Sequence, residues 1–171
     1  LGRRLPDVTE FDEPYYLLEA EGHAFAAPPT PSDFELLLER AISLLAATEP
    51  HAAIFDRCPA DYLAYLAALS PAALSPERTA EVAAALQTLD LVIFVPVERP
   101  DRIGLADAPV LRRRVDRVLR EMLVDDAWGF DVPVVTVHGT PEERADQIMA
   151  FLDSPARSNT GGRAGPGRQR R

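Results

Sequence analysis

Three charged pairings in this chain have the residue types that phosphate chemistry uses. The first is Asp56-Arg57, which ends the short apolar run Ala52-Ala53-Ile54-Phe55 and directly precedes Cys58-Pro59. An aspartate at the end of an apolar strand can hold Mg²⁺ directly or through water, and an arginine beside it can fork onto phosphate oxygens. The same dipeptide also reads as a helix cap next to a structural salt bridge. The second is Glu13-Pro14, inside Glu10-Phe11-Asp12-Glu13-Pro14-Tyr15-Tyr16. Proline confines the preceding residue to an extended backbone, and a carboxylate held there can take a proton from a substrate hydroxyl. An acidic surface loop is the plainer alternative. The third is Arg112-Arg113-Arg114 with Arg117. Arginines on one helix can close over phosphates and stabilise transferred charge, or form a solvated face balanced by Glu98, Asp101, Asp107, Asp116 and Glu121.

Other candidates are weaker. His23, His51 and His138 are far apart and lack companions at metal-ligand spacing, which argues against zinc. No serine sits in a nucleophile elbow. Cys58 stands at a helix start, where the dipole lowers a thiol pKa, although a small buried residue fits as well. The pairs Tyr15/Tyr16 and Tyr62/Tyr65 read as core packing or as stacking surfaces for a base.

Alternating elements position these residues. A short strand is predicted over Val8–Phe11. A helix to Ala47 is predicted to open on Ser32-Asp33-Phe34-Glu35, read as a capping box. Ala52–Phe55 reads as a strand, Pro59 as the first position of a helix, and Thr79–Leu89 as an alanine-rich helix. Leu91–Val95 is apolar on both faces, as in a central parallel strand. Val110–Val124 repeats as an amphipathic helix. Val132–Val137 reads as a strand, and Thr140-Pro141-Glu142-Glu143 as a capping box for a helix to Leu152. Strand–helix alternation predicts a three-layer α/β/α domain over residues 1–153 with a mostly parallel sheet. In such sheets ligands bind beyond the carboxyl ends of the strands, here after Phe55, Val95 and Val137.

Composition sets the outer bounds. The 171 residues suit one domain, and 47% hydrophobic with 26% charged residues is the balance of a globular protein. The net charge of −9 is uneven: the stretch from Arg157 carries +5 and the remainder −14. Residues 154–171, rich in Ser, Gly, Pro and Arg, read as a disordered basic tail. An acidic body argues against nucleic acid as the main partner. The tail alone keeps that reading open, and its removal without loss of RNA or DNA retention would dispose of it. No apolar run reaches the ~20 residues of a membrane helix, and no signal peptide opens the sequence. A single cysteine excludes an internal disulfide and is compatible with a reducing cytoplasm. All 18 basic residues counted as Lys or Arg are arginine, so no phosphate-loop lysine is present.

Together these stretches resemble the P-loop nucleoside and nucleotide kinase superfamily, closest to small AAA-type ATP-binding proteins with kinase-like domains. Four stretches carry the resemblance: Glu13 to Gly22, Phe55 to Tyr65, Leu111 to Asp116 and Val137 to Arg144. Leu1-Gly2-Arg3-Arg4-Leu5 also looks like the helix that follows the family's Gly-Lys-Ser/Thr. The resemblance covers residues 8–152. It implies ATP as substrate and Mg²⁺ as cofactor, with Glu13 as base toward an acceptor hydroxyl. Asp56 would serve the metal, Arg57 the phosphate or acceptor, and Arg112, Arg113 and Arg114 the lid. Cys58 stands where the family has serine. The acceptor would be a small nucleoside- or nucleotide-like molecule, or water in an ATPase. The family's first strand and its G-x-x-x-x-G-K-[ST] loop are not in these residues, and the loop supplies the grip on ATP. As given, the chain is then expected to be inactive, and poorly stable unless the strands ending at Phe55 and Val95 pair directly. The alternative is a non-catalytic remnant or a partner-binding module without ATP turnover.

Overall fold

The computed structural model describes residues 1–48, 52–71, 74–98 and 109–154. It is a mixed α/β arrangement of short parallel strands and, among the described residues, six α-helices. A 3₁₀ turn at Gly2–Arg4 leads into β1 (Thr9–Phe11), α1 (Pro14–Ala20), α2 (Pro31–Ala47) and β2 (Ala53–Phe55). Next come α3 (Pro59–Leu69), α4 (Pro76–Leu86), β3 (Val92–Phe94) and α5 (Pro109–Leu119). The chain continues through a π turn (Arg120–Val124) to β4 (Val134–Thr136) and α6 (Pro141–Leu152). Each α-helix carries proline as its first residue, where the absent N–H would have had no partner.

Helix α3 organises the core. Tyr62, Leu63, Ala64, Leu66 and Ala68 are all buried, so the helix is apolar on nearly every side. It packs against α2, α4 and α5. Phe34, Leu37, Leu38 and Ala41 come from α2, and Val82 and Leu86 from α4. Val115 and Leu119 come from α5, and Met122 and Leu123 from the π turn. In that turn Asp125 N–H reaches the Arg120 carbonyl at 3.0 Å. The wider winding lets Leu119, Met122 and Leu123 all reach the core.

The strands form two separate parallel pairs, β1 with β2 and β3 with β4. Thr9 lies opposite Ala53 and Phe11 opposite Phe55; Val92 lies opposite Val134 and Phe94 opposite Thr136. The expected single sheet is therefore not what the described residues form. Nor do β2 and β3 pair with each other, the one arrangement expected to relieve their open edges. The parallel sense agrees with the reading; continuity across the middle does not.

Several boundaries differ from expectation. The cap of α2 is Thr30, not Ser32: Thr30 Oγ1 accepts from Asp33 N–H, and Asp33 Oδ2 accepts from Thr30 N–H at 2.7 Å. Pro31 fixes the first helical position, so the box begins two residues earlier. Helix α4 starts at Pro76, capped by Ser75, rather than at Thr79. The box at Thr140 and Glu143 forms as read. Helix α1, not anticipated, starts at Pro14. The polar loop after Glu98 and the tail from residue 155 lie outside the described residues.

Candidate functional site

Parallel pairing brings the ends of β1 and β2 side by side. Phe11 and Phe55 stack at 4.9 Å between ring centroids with nearly parallel planes, in keeping with that register. The residues that follow each strand are consequently neighbours. Glu13 has the extended backbone expected before proline, with φ −53° and ψ 133°. Asp56 donates its N–H to the Phe11 carbonyl at 3.0 Å, leaving its carboxylate exposed.

Arg57 is the centre of the site. Its backbone is left-handed, with φ 70°, a conformation an arginine adopts only when the surroundings demand it. From there Nε reaches Glu13 Oε1 at 3.2 Å and Nη1 reaches Asp61 Oδ1 at 3.2 Å. Asp61 also accepts from Cys58 N–H at 2.9 Å, capping α3. One carboxylate thus starts the helix and anchors the arginine.

Burial pushes the Glu13 carboxyl above its ordinary pKa; Arg57 opposes that shift, and Asp56 and Asp61 reinforce it. Burial disfavours the Arg57 charge, but Asp61 and Glu13 outweigh it and hold the guanidinium firmly protonated. Burial, then the nearby Glu13, raises the Tyr62 phenol. The Tyr62 hydroxyl lies close enough to lower the Glu13 pKa slightly, yet it makes no well-formed hydrogen bond. Cys58 departs from the dipole argument: burial, followed by Asp61, raises its thiol well above the ordinary value. Desolvation here exceeds the effect of the helix terminus.

The charged groups border a cavity of about 1320 Å³ lined by one strand of each pair, β2 and β3. Glu13, Asp56, Arg57, Asp61, Arg112 and Asp116 all face it. Arg113 and Arg114 are exposed and take no part in its wall. Asp116 accepts from Val97 N–H at 2.8 Å, which ties α5 to the segment after β3. Glu98 holds the loop after β4: its Oε1 accepts from Arg144 Nη2 at 2.9 Å and from Gly139 N–H at 3.2 Å. Gly139 has φ 94°, which that turn requires.

Asp61 escaped the sequence reading, whereas Tyr62 was read for packing or stacking and Asp116 as one of the acids balancing the arginines. Asp61 carried a signal, being three residues after the cap position Cys58 and four after Arg57. Tyr15 stacks on Phe25 at 4.3 Å and Tyr65 on Phe34 at 4.4 Å, the packing role expected of them. Among the described residues no group of three or more His, Cys, Asp or Glu side chains could hold a metal ion. No described helix is long and apolar enough to cross a membrane. Comparison with protein-family models, curated proteins and solved structures found no match.

Proposed function

We propose that this chain is the body of an ATP-dependent phosphoryl-transfer domain of the P-loop kinase kind, acting on a small hydroxyl-bearing, nucleoside- or nucleotide-like acceptor. The observation that carries this reading is Arg57, held in a left-handed backbone between two carboxylates at the carboxyl end of β2. Strain of this sort persists where the surroundings over-determine it, and it clusters at functional sites. The guanidinium remains 36% exposed at a cavity mouth, so it can meet a phosphate.

Glu13 is the base. Its raised pKa improves its match to a hydroxyl proton, and Arg57 beside it steadies the carboxylate. Asp56 fits Mg²⁺ as a single exposed hard-oxygen ligand. Mg²⁺ keeps several waters and takes one or two carboxylates together with substrate phosphates. The metal, when bound, would neutralise charge on the transferred phosphoryl group. Arg112, which also lines the cavity, would contribute charge from α5.

The test uses the 171 residues and, if the reading frame continues upstream, the longer form as well, with Mg²⁺, ATP and a panel of nucleosides and nucleotides. The readout is ADP release. Asp56→Ala and Glu13→Gln should each lower turnover at least ~100-fold, with the thermal transition little changed. An unchanged rate would remove that residue from the mechanism. The 171 residues alone should bind Mg-ATP no tighter than about millimolar, because the main-chain phosphate cradle is missing from them. Calorimetry showing micromolar binding would refute that dependence. A second reading, a partner-binding module without turnover, draws on the open cavity between the strand pairs. Absence of ADP release from every longer form would favour it.

A further inference from the structure

The outer face of α5 carries a charge pattern that the cavity does not use. Val115, Leu119, Met122 and Leu123 turn inward to the core. On the other side Arg113, Arg117, Glu121 and Asp125 are all exposed. They recur at every fourth residue, two positive and then two negative. A four-residue step drifts around an α-helix, whose turn takes 3.6 residues. The wider π winding over Arg120–Val124 offsets that drift, so the four side chains form one stripe along the run. Among the described residues none of the four enters an ion pair. In a lone chain the order is unfavourable. Like charges four residues apart on a helix repel, here Arg113 with Arg117 and Glu121 with Asp125. Arginines near the start and carboxylates near the end also oppose the helix macrodipole, which favours the reverse.

The same order is complementary to itself. Two copies of the run laid antiparallel, crossing at the level of Leu119, set Arg113 opposite Asp125 and Arg117 opposite Glu121. Each pairing then occurs twice, and the two macrodipoles run in opposite senses. We propose that this stripe is the surface through which the chain pairs with a second copy of itself, as an isologous two-fold dimer. A nucleic acid would be drawn to the arginines but repelled by the carboxylates in line with them; a second copy matches both halves. The pairs are exposed, so the association is weak and reversible. None of the four residues lines the cavity, and the dimer stands apart from the phosphoryl-transfer reading.

Sedimentation equilibrium of the 171 residues tests it, at about 0.15 M salt so that repulsion between chains of net charge −9 is screened. Dimer should accumulate as the concentration rises to about 100 μM. Replacing Arg113 and Arg117 by glutamate should weaken self-association at least ~10-fold, and so should replacing Glu121 and Asp125 by arginine. Mixed together, these two variants should form a one-to-one heterodimer, because one stripe is then wholly acidic and the other wholly basic. Exchanging all four charges in one chain should restore the homodimer; that variant keeps the net charge and also agrees with the macrodipole, so its fold is not at risk. A parent that stays monomeric, a dimer indifferent to the double variants, or a fourfold variant that fails to pair would each overturn the proposal. Retention of a single-stranded RNA by a chain that stays monomeric would overturn it too, and would assign the arginines to a polyanion.

Discussion

Replacing Arg57 separates backbone strain from charge pairing at the mouth. Arg57→Ala removes both ion pairs, to Glu13 and to Asp61, each at 3.2 Å. The carboxylates left behind have side chains only 22% and 20% exposed. Exposed pairs contribute about 0–1 kcal/mol, and breaking a buried pair costs about 3–5 kcal/mol. This half-buried site lies between them, at about 1–3 kcal/mol. Arg57→Gly loses the same pairs but removes the steric cost of φ 70°, about 1 kcal/mol for a residue with a Cβ. The glycine variant should therefore be the more stable of the two by about 1 kcal/mol. The pH dependence follows from Glu13. Its folded-state pKa already lies above the ordinary 4.5, and Arg57 is the group holding it down. Without Arg57 it rises further. A carboxyl raised on folding adds stability that is complete below 4.5 and is lost as pH climbs through the folded value. Both variants should accordingly fall further behind the parent at pH 7 than at pH 4. Urea unfolding at the two pH values reads all of this. Equal stability of the alanine and glycine variants would refute the strain argument, and a gap insensitive to pH would refute the coupling to Glu13.

Two further outcomes concern the frame around the site. Asp33→Ala should destabilise the fold by about 1–2 kcal/mol through loss of the α2 capping box. The Thr30 backbone N–H and hydroxyl hold the Asp33 pKa below its ordinary 3.8. Its contribution is thus present above 3.8 and lost as pH falls through the folded value; urea melts from pH 2 to 6 should show a shallower acid loss in the variant. Cys58 should resist a thiol-specific reagent at pH 8 in the folded protein and react at once in denaturant, since burial raises its pKa. Rapid labelling of folded protein would contradict that burial.

What the sequence disclosed and what it hid have physical causes. Helices announce themselves through 3.6-residue periodicity and proline starts, so α2, α3, α5 and α6 were legible, as was the extended backbone of Glu13 before Pro14. Capping depends on which oxygen meets which amide: the sequence reading took Ser32, whereas the structure caps at Thr30, two positions earlier, with Pro31 as the first helical residue. The pairing of Arg57 with Glu13 spans 44 positions in sequence and follows only from the β1–β2 register, which no local pattern encodes. Asp61 was hidden differently. Its spacing from Cys58 and Arg57 was visible, but its double role appears only when α3 places it under the arginine. The left-handed backbone at Arg57 had no signal at all, since nothing about Asp-Arg-Cys asks for a positive φ.

The two strand pairs carry different halves of the mouth. Glu13, Asp56 and Arg57 ride on β1 and β2, while Asp116 and Glu98 are tied to the segment after β3 and to the turn after β4. Two-stranded pairs are marginal by themselves; Val92 and Phe94 of β3 join the hydrophobic core, in which α3 packs on both α2 and α5. The halves are therefore coupled through the helical core rather than through backbone hydrogen bonds between β2 and β3.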